Sequence, residues 1–496
     1  MIFGLKELFV DFMVLEELTS NFFFWVLLFL VSAVIFTWIL KKFSSAKTYF
    51  IASMYKTDKM NPVFDKFSKH TKTIDFLATL GLILGFGLIA VDFLYGKKLG
   101  KLKRFGLWVG SILLLYFVFE LVFGVFSSSS FITDGFTDFN GLNLISFVFA
   151  LTGFAGFVVF SLIITALDII TKTLIGVKAC PGIAPVIPGV EVPNVPLVIP
   201  LHAWISLIII LIIHEGFHGI TARKEKLKVK SSGLLLLGFL PIGAFVEPDE
   251  KQVKKASPIK QLKVYAAGPA ANLASIIVFI LIYNLLLGLI VMPFIAPTAE
   301  AIKREHISGV EIVDVSSDLS FCGEEFNSPA FGVMEKGMVL KEVNGIKIQL
   351  REDFAEAYEG KKISDEFTFK VEKNKTEKEF SLTPNEQGRF GFTVEEIKSK
   401  DFSLSEEIFL SLYFWVFDPS NSHNFFVWLV ILSLLIAVVN FLPIDPFDGG
   451  RIARIMLPSY FGFWKEKEEK KEALIMKALF VAVIALFVLN ALPLFF

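Results

Sequence analysis

The chain has 496 residues, 54% of them hydrophobic, with 56 Phe and a mean hydropathy of +0.64, an apolar load that excludes a purely water-soluble protein. Its net charge of -1 provides no global field for nucleic acid, which is therefore not expected as a partner. Two cysteines, Cys180 and Cys322, build neither a disulfide framework nor a cysteine metal site, and they are expected not to pair.

In chain order, Lys6 is followed by Glu7, Asp11, Glu16 and Glu17, the wrong sign for the positive start of a signal peptide. Apolar stretches of about 20 residues, the length of a spanning helix, number about eight. They lie near 20–40, 74–95, 105–126, 142–170, 201–222, 265–293, 424–443 and 473–494. The second is the least regular, with Asp75 and Asp92 at its ends and Gly81, Gly85 and Gly87 inside. Asp92 is expected at the interface, and Glu120 in the third has no evident partner. The loop at 41–73 carries eight Lys against two Asp and reads as a topology signal, with anionic lipid as a contact.

After the fourth span, Pro181, Pro185, Pro188, Pro193, Pro196 and Pro200 forbid a regular helix. That segment, 171–200, reads as an extended stretch packed on protein. The fifth span carries the chemistry. Its apolar run Ile205-Ser206-Leu207-Ile208-Ile209-Ile210-Leu211-Ile212-Ile213 leads into His214-Glu215-Gly216-Phe217-His218. Residues i and i+4 of a helix share one face, so His214 and His218 can bind one Zn²⁺, with Glu215 beside them to take a proton from water. Ionisable groups inside a span are costly and are functional by default.

Ser231 to Pro248 is apolar but broken by Gly233, Gly238, Pro241 and Gly243. Irregular backbone at membrane depth requires cover by protein or a wet cavity, so a re-entrant hairpin beside the site is expected. From about 306 to 396 charge rises, and Phe367-Thr368-Phe369-Lys370-Val371-Glu372 alternates with period 2, as a half-buried strand does. Asn344-Gly345 is a turn signal. Residues 403–417 read as an interfacial helix with Phe409, Leu412, Trp415 and Phe417 toward lipid.

Catalytic zinc takes three protein ligands and keeps one open position. His70, His202, His306 and His423 are poorly placed for the third. The seventh span ends in Asn440-Phe441-Leu442-Pro443-Ile444-Asp445-Pro446-Phe447-Asp448-Gly449-Gly450. Asp445 and Asp448 compete, and Asp448 is preferred because the glycine pair behind it allows a sharp turn. Asn272 and Asn440 are polar groups in apolar spans, and each needs a partner. Gly268 reads as a close-packing residue.

These residues carry a resemblance. HExxH in one span, Gly268-Pro269-Ala270-Ala271-Asn272 in the next, and Asn440-x-x-Pro443 with Asp448-Gly449-Gly450 resemble the site-2 protease family. So do the flanking Pro188-Gly189-Val190-Glu191-Val192-Pro193 and Gly243-Ala244-Phe245-Val246-Glu247. The resemblance covers roughly 185–495 and implies an intramembrane zinc metalloprotease that cuts transmembrane helices of membrane-protein substrates in regulated intramembrane proteolysis. It implies zinc held by His214, His218 and Asp448, Glu215 as general base, and Asn272 and Asn440 near substrate or oxyanion. Ser328-Pro329-Ala330 through Gly337, with Val343-Asn344-Gly345, resembles a PDZ domain, and a peptide is its expected partner. The Asp common after the glycine in such domains is Met338 here.

The expected fold is a polytopic α-helical membrane protein of about eight spans with an inserted β-rich PDZ-like domain and a re-entrant β-like segment. The expected regions are an N-terminal membrane region (1–170), the proline-rich segment (171–200), two halves of the catalytic membrane core (201–295 and 423–496), the PDZ-like domain (296–398) and the interfacial segment (399–422). Basic stretches at 41–73, 223–230 and after Arg451 belong in the cytoplasm. That puts the PDZ-like domain outside and the site nearer the cytoplasm. Lys97, Lys98, Lys101, Lys103 and Arg104 run against this scheme. The rival readings are a metal-ion transporter using the same ligands and a non-catalytic family member that only binds substrate.

Overall fold

The computed structural model describes residues 22–43, 46–128, 142–190, 192, 195, 198–238, 240–317, 319, 326–358, 360–419, 421 and 423–495. The signal-peptide reading, Pro193, Pro196 and Cys322 fall outside them. The N-terminal part holds α1 (Phe22–Phe43), strands β1 (Lys47–Tyr49) and β2 (Ala52–Thr57), α2 (Asn61–Phe67), α3 (Thr71–Leu94), α4 (Lys101–Ser128) and α5 (Leu142–Leu174). Then come α6 (Ala203–Lys224), the hairpin β3 (Val229–Leu237) and β4 (Leu240–Pro248), α7 (Glu250–Lys255) and α8 (Pro258–Leu286). A π-helical stretch, Leu287–Ile295, joins α8 to α9 (Ala296–His306).

Every expected span coincides with a helix. Six helical runs among the described residues are long and apolar enough to cross a membrane: Thr71–Lys98, Lys101–Leu121, Leu144–Leu174, Ala203–Lys224, Pro258–His306 and Glu468–Leu494. The seventh expected span, α12 (Phe425–Asn440), has only 16 residues, about 24 Å at 1.5 Å per residue against a hydrocarbon core of about 30 Å.

The irregular second span is an interior helix. Half of its apolar window is buried, and its glycines are sites of close approach. A Cβ on Gly81 would lie 2.3 Å from the Cβ of Ala270 in α8, and one on Gly85 would lie 2.3 Å from the Phe441 ring. α3 breaks at Gly87 (φ 56°) and α5 at Gly153 (φ 62°). The two breaks face each other, since a Cβ on Gly87 would lie 2.6 Å from the Gly153 nitrogen. Both φ values belong to the region glycine tolerates.

Asp92, expected at the interface, is buried in protein. It is 2% exposed and accepts from Arg104 Nε at 2.7 Å, from Trp108 Nε1 at 2.7 Å and from Tyr460 Oη at 3.1 Å. A buried carboxylate without donors would be very costly, and one of its donors, Arg104 in the first turn of α4, belongs to the basic stretch that runs against the charge scheme. Glu120 also has a partner, accepting from Ser146 Oγ at 2.7 Å.

The segment expected to be re-entrant is a β-hairpin, and its sheet is wider than expected. Residues 47–57, read from sequence as a basic loop, add two strands to it. The sheet runs β1-β2-β3-β4, all antiparallel. β2 covers the outer edge of β3, with Ala52 opposite Leu237 and Thr57 opposite Ser232, and β4 stays an edge strand. Lys56 Nζ pairs with Glu247 of β4 at 2.9 Å.

The inserted domain is a six-stranded sheet of order β10-β5-β6-β8-β9, with β7 beside β6. Its elements are β5 (Ile307–Val315), β6 (Val339–Val343), β7 (Ile346–Lys347), α10 (Arg351–Tyr358), β8 (Phe367–Lys373), β9 (Thr376–Leu382) and β10 (Phe392–Lys398). β8 alternates buried and half-buried residues. Asn344 (φ 50°) and Gly345 (φ 86°) make the turn between β6 and β7, the geometry that Asn-Gly favours. Met338 is buried in the core of this domain.

α11 (Leu404–Leu412) opens on a capping box of Ser403 and Glu406. Its exposed apolar residues are Leu404, Ile408 and Leu412, followed by Phe414. Of the four expected toward lipid only Leu412 is among them; Phe409 and Phe417 are half-buried and Trp415 packs edge-on against His202 at 5.0 Å. The chain ends with α13 (Asp448–Met456) and α14 (Glu468–Ala491). α5 runs on to Leu174, and beyond it the proline-rich segment carries no regular element among its described residues. Gly182 N donates to Asn490 O of α14 at 2.9 Å. Against expectation, Cys180 is disulfide-bonded, and Cys322 is the other cysteine of the chain.

Candidate metal centre and active site

The apolar run of α6 buries its own polar end. His214 is 4% and His218 8% exposed, and one helical turn sets their rings edge to face with centroids 4.9 Å apart. Their Nε2 atoms stand 3.2 Å from each other. Asp448 closes the triangle, with Oδ2 3.2 Å from His214 Nε2 and 3.1 Å from His218 Nε2. All three are buried. Among the described residues one group of His, Cys, Asp and Glu has the spacing to hold a metal, and it is this one, with ligand atoms within 4.8 Å of one another.

Asp448 arrives through the turn that ends α12. The chain reverses after Phe441, and Asp448 opens α13. A Cβ on Gly449 would lie 2.2 Å from Phe441 O, and one on Gly450 would lie 2.3 Å from the Ile444 carbonyl carbon. Only glycine fits both places. Asp445, the rival ligand, is half exposed and ion-paired with Arg454.

α8 forms the wall behind the imidazoles. Val264, Gly268 and Asn272 recur at i, i+4 and i+8, one face of the helix. The Val264 carbonyl accepts from His218 Nδ1 at 2.7 Å, which turns the Nε2 of that ring toward the cluster, the usual outer-shell arrangement of a ligating histidine. A Cβ on Gly268 would lie 2.3 Å from His218 Nε2 and 2.6 Å from His214 Nε2. This glycine packs closely, as its sequence context suggests, and what it packs against is the ligand pair. The Asn272 amide lies 3.0 Å from His214 Nδ1.

Glu215 points away from this wall. Its Oε2 accepts from Val246 N of β4 at 2.9 Å, so the edge strand and the carboxylate meet at the site. The Asn440 amide donates to Ile436 O, one turn back on its own helix, at 2.9 Å. Three more histidines have other occupations. His202 packs on Trp415, His306 on Phe402 and His423 on Trp428. Below the site Arg223 binds Asp65 at 2.6 Å, and this bond holds the Asp65 carboxyl below its ordinary range.

Two imidazole nitrogens and one carboxylate oxygen form a donor set that suits Zn²⁺ with one position left for water or substrate. The glycine at 268, where any side chain would fill the space around the two Nε2 atoms, fits the same reading. Backbone groups at Val264 and Val246 escaped the sequence reading, because main-chain amides leave no trace in residue type.

The model of peptidase family M50 matches residues 202–487, more than half of the chain and all of the elements that carry the cluster. The chain belongs to peptidase family M50. The resemblance to site-2 proteases read from the motifs is therefore correct, and membership in a family of metallopeptidases does not favour the transporter alternative. An uncharacterized protein of Methanocaldococcus jannaschii is 29% identical to this chain over 245 residues, 49% of this chain and 54% of that protein. The chain thus spans about half the length of that curated relative. Strands β1 and β2 and helices α1 to α5 precede the residues that the M50 model matches.

Proposed function

We propose that this chain is a zinc-dependent intramembrane endopeptidase that hydrolyses peptide bonds within or near the membrane-spanning helices of single-span proteins. The observation that carries this reading is the convergence of His214, His218 and Asp448 beside Glu215, with both histidines on a helix long and apolar enough to cross a bilayer. His214, His218 and Asp448 would hold the ion. When bound, zinc lowers the pKa of water toward neutrality and polarises a carbonyl.

The protein's own residues do the rest. Glu215 takes a proton from the attacking water as its oxygen bonds to the carbonyl carbon. It then delivers that proton to the amine as the C–N bond breaks. A helical substrate must first unwind, since its carbonyls are tied up in i to i-4 hydrogen bonds. The edge of β4 can take the unwound segment as an added strand. β2 already covers β3, so β4 is the edge available at the site, and the Val246 amide that now holds Glu215 lies on it.

The β domain is read as PDZ-like, with a peptide adding to its edge strand β10. We place this domain outside the cytoplasm and the site nearer the cytoplasmic face. The basic residues after His218 support that orientation. The disulfide at Cys180 supports it too, because such bonds persist in oxidising compartments.

The test is cleavage of a single-span reporter by the purified protein in liposomes. Glu215→Gln is expected to lower kcat by about 10²–10⁴, the usual share of general acid-base catalysis, with bound metal unchanged. Undiminished cleavage by that variant would refute the proposal.

A further inference from the structure

Asn272 is fully buried, and only part of its amide is used. Nδ2 lies 3.0 Å from His214 Nδ1. Oδ1, buried as well, meets no donor. A buried amide oxygen without a donor carries a desolvation penalty, so its placement needs a reason.

The chemistry of His214 provides one. With Nδ2 donating to Nδ1, the imidazole proton sits on Nε2. Nε2 is the atom that faces His218 Nε2 and Asp448 Oδ2, and a ligating nitrogen must present a lone pair there. Ligation therefore demands the other tautomer, with the proton on Nδ1 and an acceptor opposite it. A half-turn of the Asn272 amide supplies that acceptor, because the oxygen and the NH₂ exchange places with almost no change of shape. The same half-turn gives the orphan oxygen a donor.

His218 already has this arrangement through Val264 O. Asn272 lies two turns further along the same face of α8, so one helix can orient both imidazoles. Asn272→Asp would keep an oxygen toward Nδ1, whereas Asn272→Leu, of similar size, would keep none.

We propose that Asn272 is a positioning residue for His214: its side-chain carbonyl accepts from Nδ1–H and so holds Nε2 as a metal ligand. This rests on the metallopeptidase reading above and assigns Asn272 to the ligand rather than to the substrate oxyanion.

The experiment measures Zn²⁺ affinity of the full chain in detergent by competition with a chromophoric chelator, beside cleavage of the reporter and a thermal melt in excess chelator. Asn272→Leu is expected to bind Zn²⁺ about 10–100-fold more weakly, the usual cost of losing an outer-shell partner. Asn272→Asp is expected within about threefold of the parent chain, since it keeps the acceptor. Asn272→Ala repeats the first test if the leucine variant fails to melt cooperatively. Leucine and alanine variants with parental affinity would overturn the proposal, and so would an aspartate variant as weak as leucine. A purely interhelical bond would lower the melting temperature and leave Zn²⁺ affinity alone. If the parent chain itself bound no Zn²⁺, both this inference and the metallopeptidase reading would fall; if it bound and cleaved normally while Asn272→Leu matched it, only this inference would.

Discussion

Gly81 of α3 stands so close to α8 that a methyl group on it would lie 2.3 Å from the Ala270 Cβ. In the β domain Phe369 and Phe390 meet ring to ring at 5.0 Å, and Phe367 and Phe390 at 5.3 Å. The membrane core adds glycine-mediated backbone approach to its aromatic pairs, such as Phe119 and Phe149 at 4.5 Å; the β domain is packed by bulk. In lipid, helices gain little from burying apolar surface, so close backbone approach and paired polar groups hold them together. In water, aromatic burial is itself the driving force. The same contrast governs polar groups. In the core the buried charged groups have named partners, as with Asp92 and Arg104 or His218 and Val264, while hydroxyls such as Ser206 and Thr221 have none. The β domain has several ion pairs nearer the surface, such as Lys370 with Glu342.

Three substitutions test whether the two regions are independent. Gly268→Ala puts a methyl group into the ligand pair and is expected to lower metal affinity and cleavage by more than about 100-fold, beyond the usual outer-shell loss. Chelator competition would measure this, and amide hydrogen exchange in β5–β10 should not change. Phe369→Ala opens a cavity in the aromatic core at a cost of about 3–5 kcal/mol. Exchange should accelerate through β6 and β8 while metal content stays at the parental level. A fall in metal content here would break the comparison and show that the β domain supports the site.

The smallest effect concerns Asp353. Burial opposes its charge, but the Arg304 guanidinium at 2.6 Å and the amides of Leu350 and Gln349 outweigh that and hold the carboxyl below the ordinary aspartate range. A lowered folded-state pKa gives stability that is present above the unfolded value and lost as pH falls through the folded one. The β domain should therefore loosen in acid. Asp353→Asn should cost about 1–3 kcal/mol at neutral pH and flatten the acid dependence of exchange in α10. An unchanged acid profile would remove Asp353 from this role.

The apolar helices, though not the number of spans, were legible in the sequence, as were the strand alternation in β8 and the Asn344-Gly345 turn, because each is a local pattern of residue type. So was the cluster, because i, i+4 spacing places His214 above His218 whatever surrounds them, and a glycine pair marks Asp448 as the end of a sharp turn. Other features had no such signature. Residues 47–57 read as a basic loop, yet they pair with β3, because a strand's partner is chosen by an edge almost two hundred residues away. Asp92 read as interfacial because a carboxylate near a span end usually is; only the fold brought Arg104, Trp108 and Tyr460 around it. The sequence by itself determined which side chains could ligate a metal and which segments could lie in lipid, since chemistry and hydropathy belong to single residues and short windows. The tertiary structure decided which groups those side chains face: Val264 O behind His218, the Asn272 amide behind His214 and the Val246 amide on Glu215. Hydrogen bonds are satisfied across space, and main-chain donors and acceptors are the same in every residue.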